Sequence, residues 1–144
     1  MDHPVRPEAP MTAADRFRAA VERRDLDAMA GALAPDVRLH SPTLLAPIEG
    51  RDRARKIFGV LEELFEDFEY TRVLAGGPAD RPEESSTHAL MFRCRIGSQQ
   101  IEGIDVLDLD DDDQIAELTV LVRPLAGLQA LAEQVAARLA ARPG

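Results

Sequence analysis

Apolar residues recur every three or four positions in the first third of the chain and every second position through most of the remainder. Helices are therefore expected before strands. Phe17, Ala20 and Val21 form the stripe of a first helix, which Thr12 can cap and whose positive end Asp15 favours. Asp25 opens a second, short helix carrying Leu26, Met29, Ala30 and Leu33, with Pro35 expected to stop it. Over residues 36–41 the period falls to two: Val37, Leu39 and Ser41 share one face, Arg38 and His40 the other. The loop Pro42-Thr43-Leu44-Leu45-Ala46-Pro47-Ile48 is unusually apolar and is predicted to fold over the core or a pocket mouth. A third helix starts after Gly50 and buries Ala54, Ile57, Phe58, Leu61, Leu64 and Phe65.

Four strands come next. Residues 68–74 place Phe68, Tyr70, Arg72 and Leu74 on one side. Residues 86–96 alternate His88, Leu90, Phe92, Cys94 and Ile96 against Ala89, Met91, Arg93 and Arg95, and turn at Gly97-Ser98. The hairpin over residues 101–124 puts Gly103, Asp105, Leu107 and Leu109 on one face of its first arm. Leu118, Val120 and Val122 alternate with Thr119 and Leu121 on its second. Pro124 suits the start of a last helix with Leu125, Leu128, Leu131, Val135 and Leu139 in one stripe. Helices and strands segregated in this way predict an α+β domain and not a doubly wound parallel sheet. Both sheet faces are apolar in places, so the second is expected to be covered by a partner subunit, in a homodimer.

The 144 residues suit one domain, read as residues 12–141 after a frayed, proline-rich tail over residues 1–11. A net charge of −9 argues against nucleic acid or an anionic membrane as the main partner. The cluster Arg51-Asp52-Arg53-Ala54-Arg55-Lys56 reads as a solvated helix face. No apolar run has membrane-span length, the start of the chain lacks a signal peptide's apolar segment, and Cys94 has no disulfide partner. A cytoplasmic protein is expected, and its Arg-rich, Lys-poor composition suggests a bacterial one.

Asp105 is the leading candidate for chemistry. Among apolar neighbours, desolvation raises its pKa, and a neutral carboxyl group can donate a hydrogen bond to a ligand's carbonyl or enolate oxygen. A structural aspartate bonded to Ser41, His88 or an internal water is the alternative. His88, on the same face as Leu90 and Phe92, is a second acid–base candidate, or else a rim residue. Ser41, Phe17, Tyr70, Phe92 and Leu118 complete the expected lining of a pocket for a small hydrophobic molecule. The run Asp108-Leu109-Asp110-Asp111-Asp112-Asp113 lacks the glycine and terminal glutamate of a calcium loop and reads as a hairpin turn, with Asp113 at positive φ. Neither zinc spacing nor a phosphate-binding glycine loop is present, so no cofactor or metal is expected.

The order of elements resembles the nuclear transport factor 2-like superfamily, which includes ketosteroid isomerases and SnoaL-like polyketide cyclases. The matching pieces are Arg24-Asp25-Leu26-Asp27-Ala28-Met29, Pro35-Asp36-Val37-Arg38-Leu39-His40-Ser41-Pro42, Ile48-Glu49-Gly50-Arg51-Asp52, Gly103-Ile104-Asp105-Val106-Leu107 and Gln114-Ile115-Ala116-Glu117-Leu118. The chain is most similar to uncharacterised bacterial SnoaL-like proteins. The resemblance implies a cone-shaped roll: a curved, mostly antiparallel sheet wrapped around N-terminal helices, with a C-terminal helix. In ketosteroid isomerases a carboxylate base precedes the proline ending the first strand, where this chain has Ser41, and an oxyanion-hole tyrosine lies where it has Phe17. Only their protonated aspartic acid is matched, by Asp105, which argues against ketosteroid isomerisation of the usual kind. The similar limonene epoxide hydrolases need a last-strand aspartate, and Leu118-Thr119-Val120-Leu121-Val122 has none. The expectation is a pocket protein that either isomerises, cyclises or dehydrates a hydrophobic carbonyl compound, or is a non-catalytic carrier or dimeric module whose pocket is vestigial.

Overall fold

The computed structural model describes residues 11–142, so the tail expected at the N-terminus lies almost wholly outside the described residues. Helix α1 (Ala13–Arg23) starts with a reciprocal cap: Asp15 donates its backbone N–H to Thr12 Oγ1 at 3.2 Å, and Asp15 Oδ2 accepts from the Thr12 backbone at 2.9 Å. Arg24, at φ 58°, turns the chain into α2 (Leu26–Gly31), which Asp25 caps by accepting from the Ala28 N–H at 3.1 Å.

Strand β1 (Leu33–His40) corrects one expectation, because Leu33 and Pro35 belong to it and not to the end of α2. Leu33 pairs with Ile115, and the ladder slips between Leu33 and Arg38, an irregularity that tolerates a residue without an N–H. After β2 (Ile48–Glu49) come α3 (Arg51–Leu64), β3 (Glu66–Gly76), β4 (Thr87–Ile96), β5 (Gln99–Leu109), β6 (Ile115–Arg123) and α4 (Leu125–Ala140). They build one curved, open six-stranded sheet in the order β2-β1-β6-β5-β4-β3, antiparallel except for the β1–β6 pair. The architecture is α+β.

The sheet's inner face meets two apolar clusters. Helices α1–α3 cover Val37, Leu39, Leu90, Leu107, Ile115 and Leu118 at one end. At the other, Leu131 and Val135 of α4 pack against Phe92, Cys94, Ile96 and Ile101. The acidic turn ties the β5–β6 hairpin to α1: Asp113, at φ 55°, accepts the Ala13 N–H at 3.0 Å and pairs with Arg16 at 3.0 Å. The Ala13 hydrogen bond first, and then Arg16, hold the Asp113 carboxyl below its ordinary pKa.

Three further expectations change. Two register shifts in β3 leave Phe68 and Tyr70 facing inward, whereas Arg72 and Leu74 pair with Met91 and Ala89 on the outer face. The apolar loop after β1 does not cover a pocket. Leu45 is 100% exposed and Leu44 59%, because the loop hangs from a β1–β2 ladder of two residue pairs and closes on Ser41 and Thr43. Val60, omitted from the predicted helix face, is fully buried.

Candidate functional site

Between the two clusters the inner face is left open, and a cavity of about 810 Å³ occupies the gap. Its floor comes from β4, β5 and β6. Alternation on β5 sends Ile101, Gly103, Asp105 and Leu107 inward, and the ladders place Asp105 between Leu90 and Val120. Phe92 pairs with Gly103. A Cβ there would collide with the Phe92 ring and lie 2.6 Å from the Leu121 carbonyl oxygen, so glycine is what lets the ring lie across β5 beside Asp105.

Tyr70 reaches over β4 and donates its hydroxyl to Asp105 Oδ2 at 2.9 Å. Among the described residues no donor reaches Oδ1, and Asp105 lines the cavity. Burial pushes the Asp105 pKa up to about 7, against the opposing effect of the Tyr70 hydrogen bond. Tyr70 is in turn raised well above its ordinary value, by burial first and then by the negative charge that Asp105 places beside it. Cys94 is buried and pushed up to about 12, by desolvation and by Asp105, so it remains a thiol and not a nucleophile near neutral pH.

The walls are apolar: Phe17, Met29 and Phe58 on one side, Phe65 and Phe68 on the other, Leu118 and Val120 on the floor. The mouth is polar but charge-compensated. Glu62 pairs with Arg24 at 3.2 Å, Glu63 with Arg138 at 2.8 Å, Asp67 with Arg95 at 2.8 Å, and Glu69 with Arg93. The site is thus a largely apolar chamber with Asp105 on its floor and Glu62, whose Oε2 is buried without a hydrogen-bond partner, at its mouth, and near neutrality Asp105 can give a proton or hydrogen bond and can also take a proton back. It is not filled by the protein's own side chains.

The cavity brings together Asp105, Phe17, Tyr70, Phe92 and Leu118, and leaves out two residues expected there. Ser41 lies past the end of β1, where its hydroxyl meets Thr43 Oγ1 at 3.0 Å and accepts the Thr43 N–H at 3.1 Å. His88 is buried but pairs with Ala75 and Leu107 at the far end of β4, its ring within 3.1 Å of the Ser85 carbonyl oxygen. Neither is available to hold Asp105, whose partner is Tyr70. Sequence reasoning also missed the wall residues Met29, Phe58, Phe65, Phe68 and Val120, although each belongs to an apolar stripe. Among the described residues no group of three or more His, Cys, Asp or Glu could hold a metal ion, and no helix is long and apolar enough to cross a membrane.

The profile of the SnoaL-like domain matches residues 14–118. Among solved structures, a steroid delta-isomerase from Pseudomonas aeruginosa is 34% identical with a TM-score of 0.81, over 89% of each chain. A bacterial protein of cystatin-like fold from Silicibacter pomeroyi is 27% identical with a TM-score of 0.80, over 90% of this chain and 86% of its own. A SnoaL-like protein from Burkholderia thailandensis shares the fold at 16% identity, with a TM-score of 0.61 over 82% of this chain and 100% of its own. None of the curated proteins matches the chain in sequence.

Proposed function

Because the chain belongs to the SnoaL-like domain family, we propose that it binds a small hydrophobic carbonyl compound in the cavity and that Asp105, as a neutral acid, hydrogen-bonds the ligand's oxygen in isomerase- or cyclase-type chemistry. One observation carries this reading: a carboxyl group that lines an apolar chamber, with one oxygen held by Tyr70 and no donor among the described residues reaching the other. A carbonyl oxygen seated there accepts a hydrogen bond from protonated Asp105, and the bond strengthens as negative charge develops on that oxygen in an enolate. With its pKa near 7, the same carboxyl can give a proton to the carbonyl oxygen and, as the carboxylate so formed, take one from the adjacent carbon, which leaves an enol and restores the acid. The likeness to a steroid delta-isomerase supports proton relocation as the reaction class. The departures at Phe17, which has no hydroxyl, and at Ser41, which lies outside the cavity, point to a substrate needing fewer catalytic groups.

A cytoplasmic homodimer is part of the same proposal. On the outer face Met91, Ile104 and Leu121 align across β4, β5 and β6, and Leu121 is 52% exposed. An apolar row of this kind on an open sheet suits a second copy of the chain.

The test uses 2-acetylnaphthalene, a ketone that accepts but cannot donate a hydrogen bond. Its affinity, titrated between pH 5.5 and 9, is expected to hold steady below about 7 and to weaken above it, approaching tenfold per pH unit until only apolar contacts remain. Asp105→Asn should flatten the profile. A wild-type affinity that ignores pH refutes the proposal. Deuterium exchange at the bound ketone's methyl group, followed by NMR, separates a catalyst from a carrier: exchange faster than in Asp105→Asn supports catalysis, and binding without exchange supports the carrier.

A further inference from the structure

Tyr70 is the chain's only tyrosine, and its one O–H donor is spent on Asp105 Oδ2, at 2.9 Å. Bringing it there takes a departure from regular pairing. Strand β3 ends the sheet and pairs on one side only, yet its ladder with β4 slips twice, between Glu66 and Glu69 and again between Tyr70 and Arg72. Asp67, inside the first slip, stands at φ 54°, and Arg95 holds its carboxylate at 2.8 Å. Slips of this kind re-aim a side chain. The one they bracket here is Tyr70, whose ring Phe68 braces edge-on at 5.0 Å between centroids and 88° between planes. Tyr70 pairs with Phe92 and, beyond it, Phe92 with Gly103, whereas Asp105 lies two residues further along β5, opposite Leu90. The hydroxyl therefore crosses β4 on the diagonal to reach the carboxyl.

A phenol bound in this way gives the two carboxyl oxygens different tasks. Oδ2 accepts from Tyr70, so the acid's own proton belongs to Oδ1, which no donor among the described residues reaches. While Asp105 is protonated, the hydrogen bond joins two neutral groups. Once the proton has moved to a ligand oxygen, the bond is charge-assisted and about twice as strong. Tyr70 thus stabilises the carboxylate that donation leaves behind more than the acid that precedes it. Burial first, and then the charge on Asp105, hold the phenol well above its ordinary pKa, so it stays a donor in both states. An interaction that strengthens as the proton moves raises the rate and not the affinity.

We infer that Tyr70 is a positioning residue for Asp105: it fixes Oδ1 as the oxygen that gives the proton to the ligand, and it stabilises the carboxylate formed by that transfer. The inference rests on the reading of Asp105 as the acid that meets a hydrophobic carbonyl compound, and adds to it a residue that acts through that acid.

Because the chain has one tyrosine, growth on 3-fluorotyrosine alters Tyr70 alone. The fluorinated phenol is more acidic and a stronger donor, whereas Tyr70→Phe has no donor but keeps the ring against Phe68. Wild type and the two altered proteins are compared for affinity towards 2-acetylnaphthalene across pH, and for deuterium exchange at the methyl group of the saturating ketone at pH 5.5. At that pH Tyr70→Phe should bind the ketone within about twofold of the wild type and exchange it about tenfold more slowly. The fluorinated protein should exchange it faster than the wild type. The pH midpoints of affinity should rise in the order fluorinated protein, wild type, Tyr70→Phe, and this order decides the matter if the wild type binds without exchange. An affinity that falls as far as the exchange rate would make Tyr70 a packing residue and overturn the inference. Tighter binding by Tyr70→Phe also overturns it, since Asp105 would then be giving its proton to Tyr70 in place of the ketone. Should Tyr70→Phe fail to fold, a fluorinated protein with unchanged rate and midpoint has the same force. A wild-type affinity that ignores pH removes the acid itself, whereas one midpoint shared by all three proteins leaves Asp105's role standing and removes that of Tyr70.

Discussion

Replacing Asp105 by asparagine should make the protein more stable at alkaline pH, the reverse of what deleting a well-paired carboxylate does. The folded-state pKa of about 7 lies above the ordinary 3.8, so between these values the native state holds a proton that the unfolded chain has released. Stability contributed by the protonated form is therefore full below 3.8 and is lost progressively as pH rises towards 7. The interval between 3.8 and about 7, at about 1.4 kcal/mol per pH unit, sets an upper bound of about 4 kcal/mol. Water entering the cavity offsets part of it, so the expected penalty in the wild type above pH 7 is about 2 to 4 kcal/mol. Asparagine keeps the shape and an acceptor for the Tyr70 hydroxyl but cannot ionise. Urea denaturation of both proteins at intervals from pH 4 to 9 is the assay. The curves should nearly coincide at pH 4 and diverge steadily, with Asp105→Asn the more stable by about 2 to 4 kcal/mol at pH 8. Parallel curves across that range would mean that Asp105 ionises as freely in the folded protein as in the unfolded one, and the reasoning from burial would fail.

Three other expectations rest on the same contacts. Tyr70→Phe removes the one hydrogen bond that opposes desolvation, so the ketone-binding midpoint should move to higher pH by about one unit, and a downward move would count against it. Asp113→Ala strips the Ala13 N–H of its acceptor at the start of α1 and should destabilise by about 1 kcal/mol at pH 7 in thermal or urea unfolding. Because the native pKa of Asp113 is lowered, its contribution is present above the ordinary carboxylate pKa and disappears as pH falls through the native one. Leu121→Asp, in the middle of the apolar outer row, should convert a dimer to a monomer by light scattering, and a wild type that is already monomeric would contradict the proposed interface.

Most of the architecture is legible in the sequence because it derives from period. Alternation places Phe92, Gly103, Asp105 and Leu118 on one inner face, and 3.6-residue spacing places Phe17 and Phe58 against it. Two kinds of information are not in the pattern. Bulges are local slips in pairing: those in β3 reverse the faces of Arg72 and Leu74, and the slip in β1 admits Pro35, yet neither changes composition enough to be seen. Register is the other. Tyr70 and Asp105 both face inward by alternation, but only the β3–β4–β5 ladders bring a hydroxyl across 35 positions of sequence to that carboxyl. The same ladders set His88, equally inward by alternation, beside Leu107 near the start of β4, where its ring meets the Ser85 carbonyl oxygen and not Asp105. Extending the β1 alternation to Ser41 runs one residue past the strand's end, where the turn to Thr43 takes over.

The state of one carboxyl group in an apolar chamber decides the proposed chemistry, and the side-chain carbon resonance of Asp105, followed by NMR across pH, measures it directly. The expected midpoint lies near 7 in the free protein and moves upward once 2-acetylnaphthalene is bound, because the ketone engages the protonated form. A midpoint near the ordinary 3.8, or one that stays in place when the ketone binds, would contradict it.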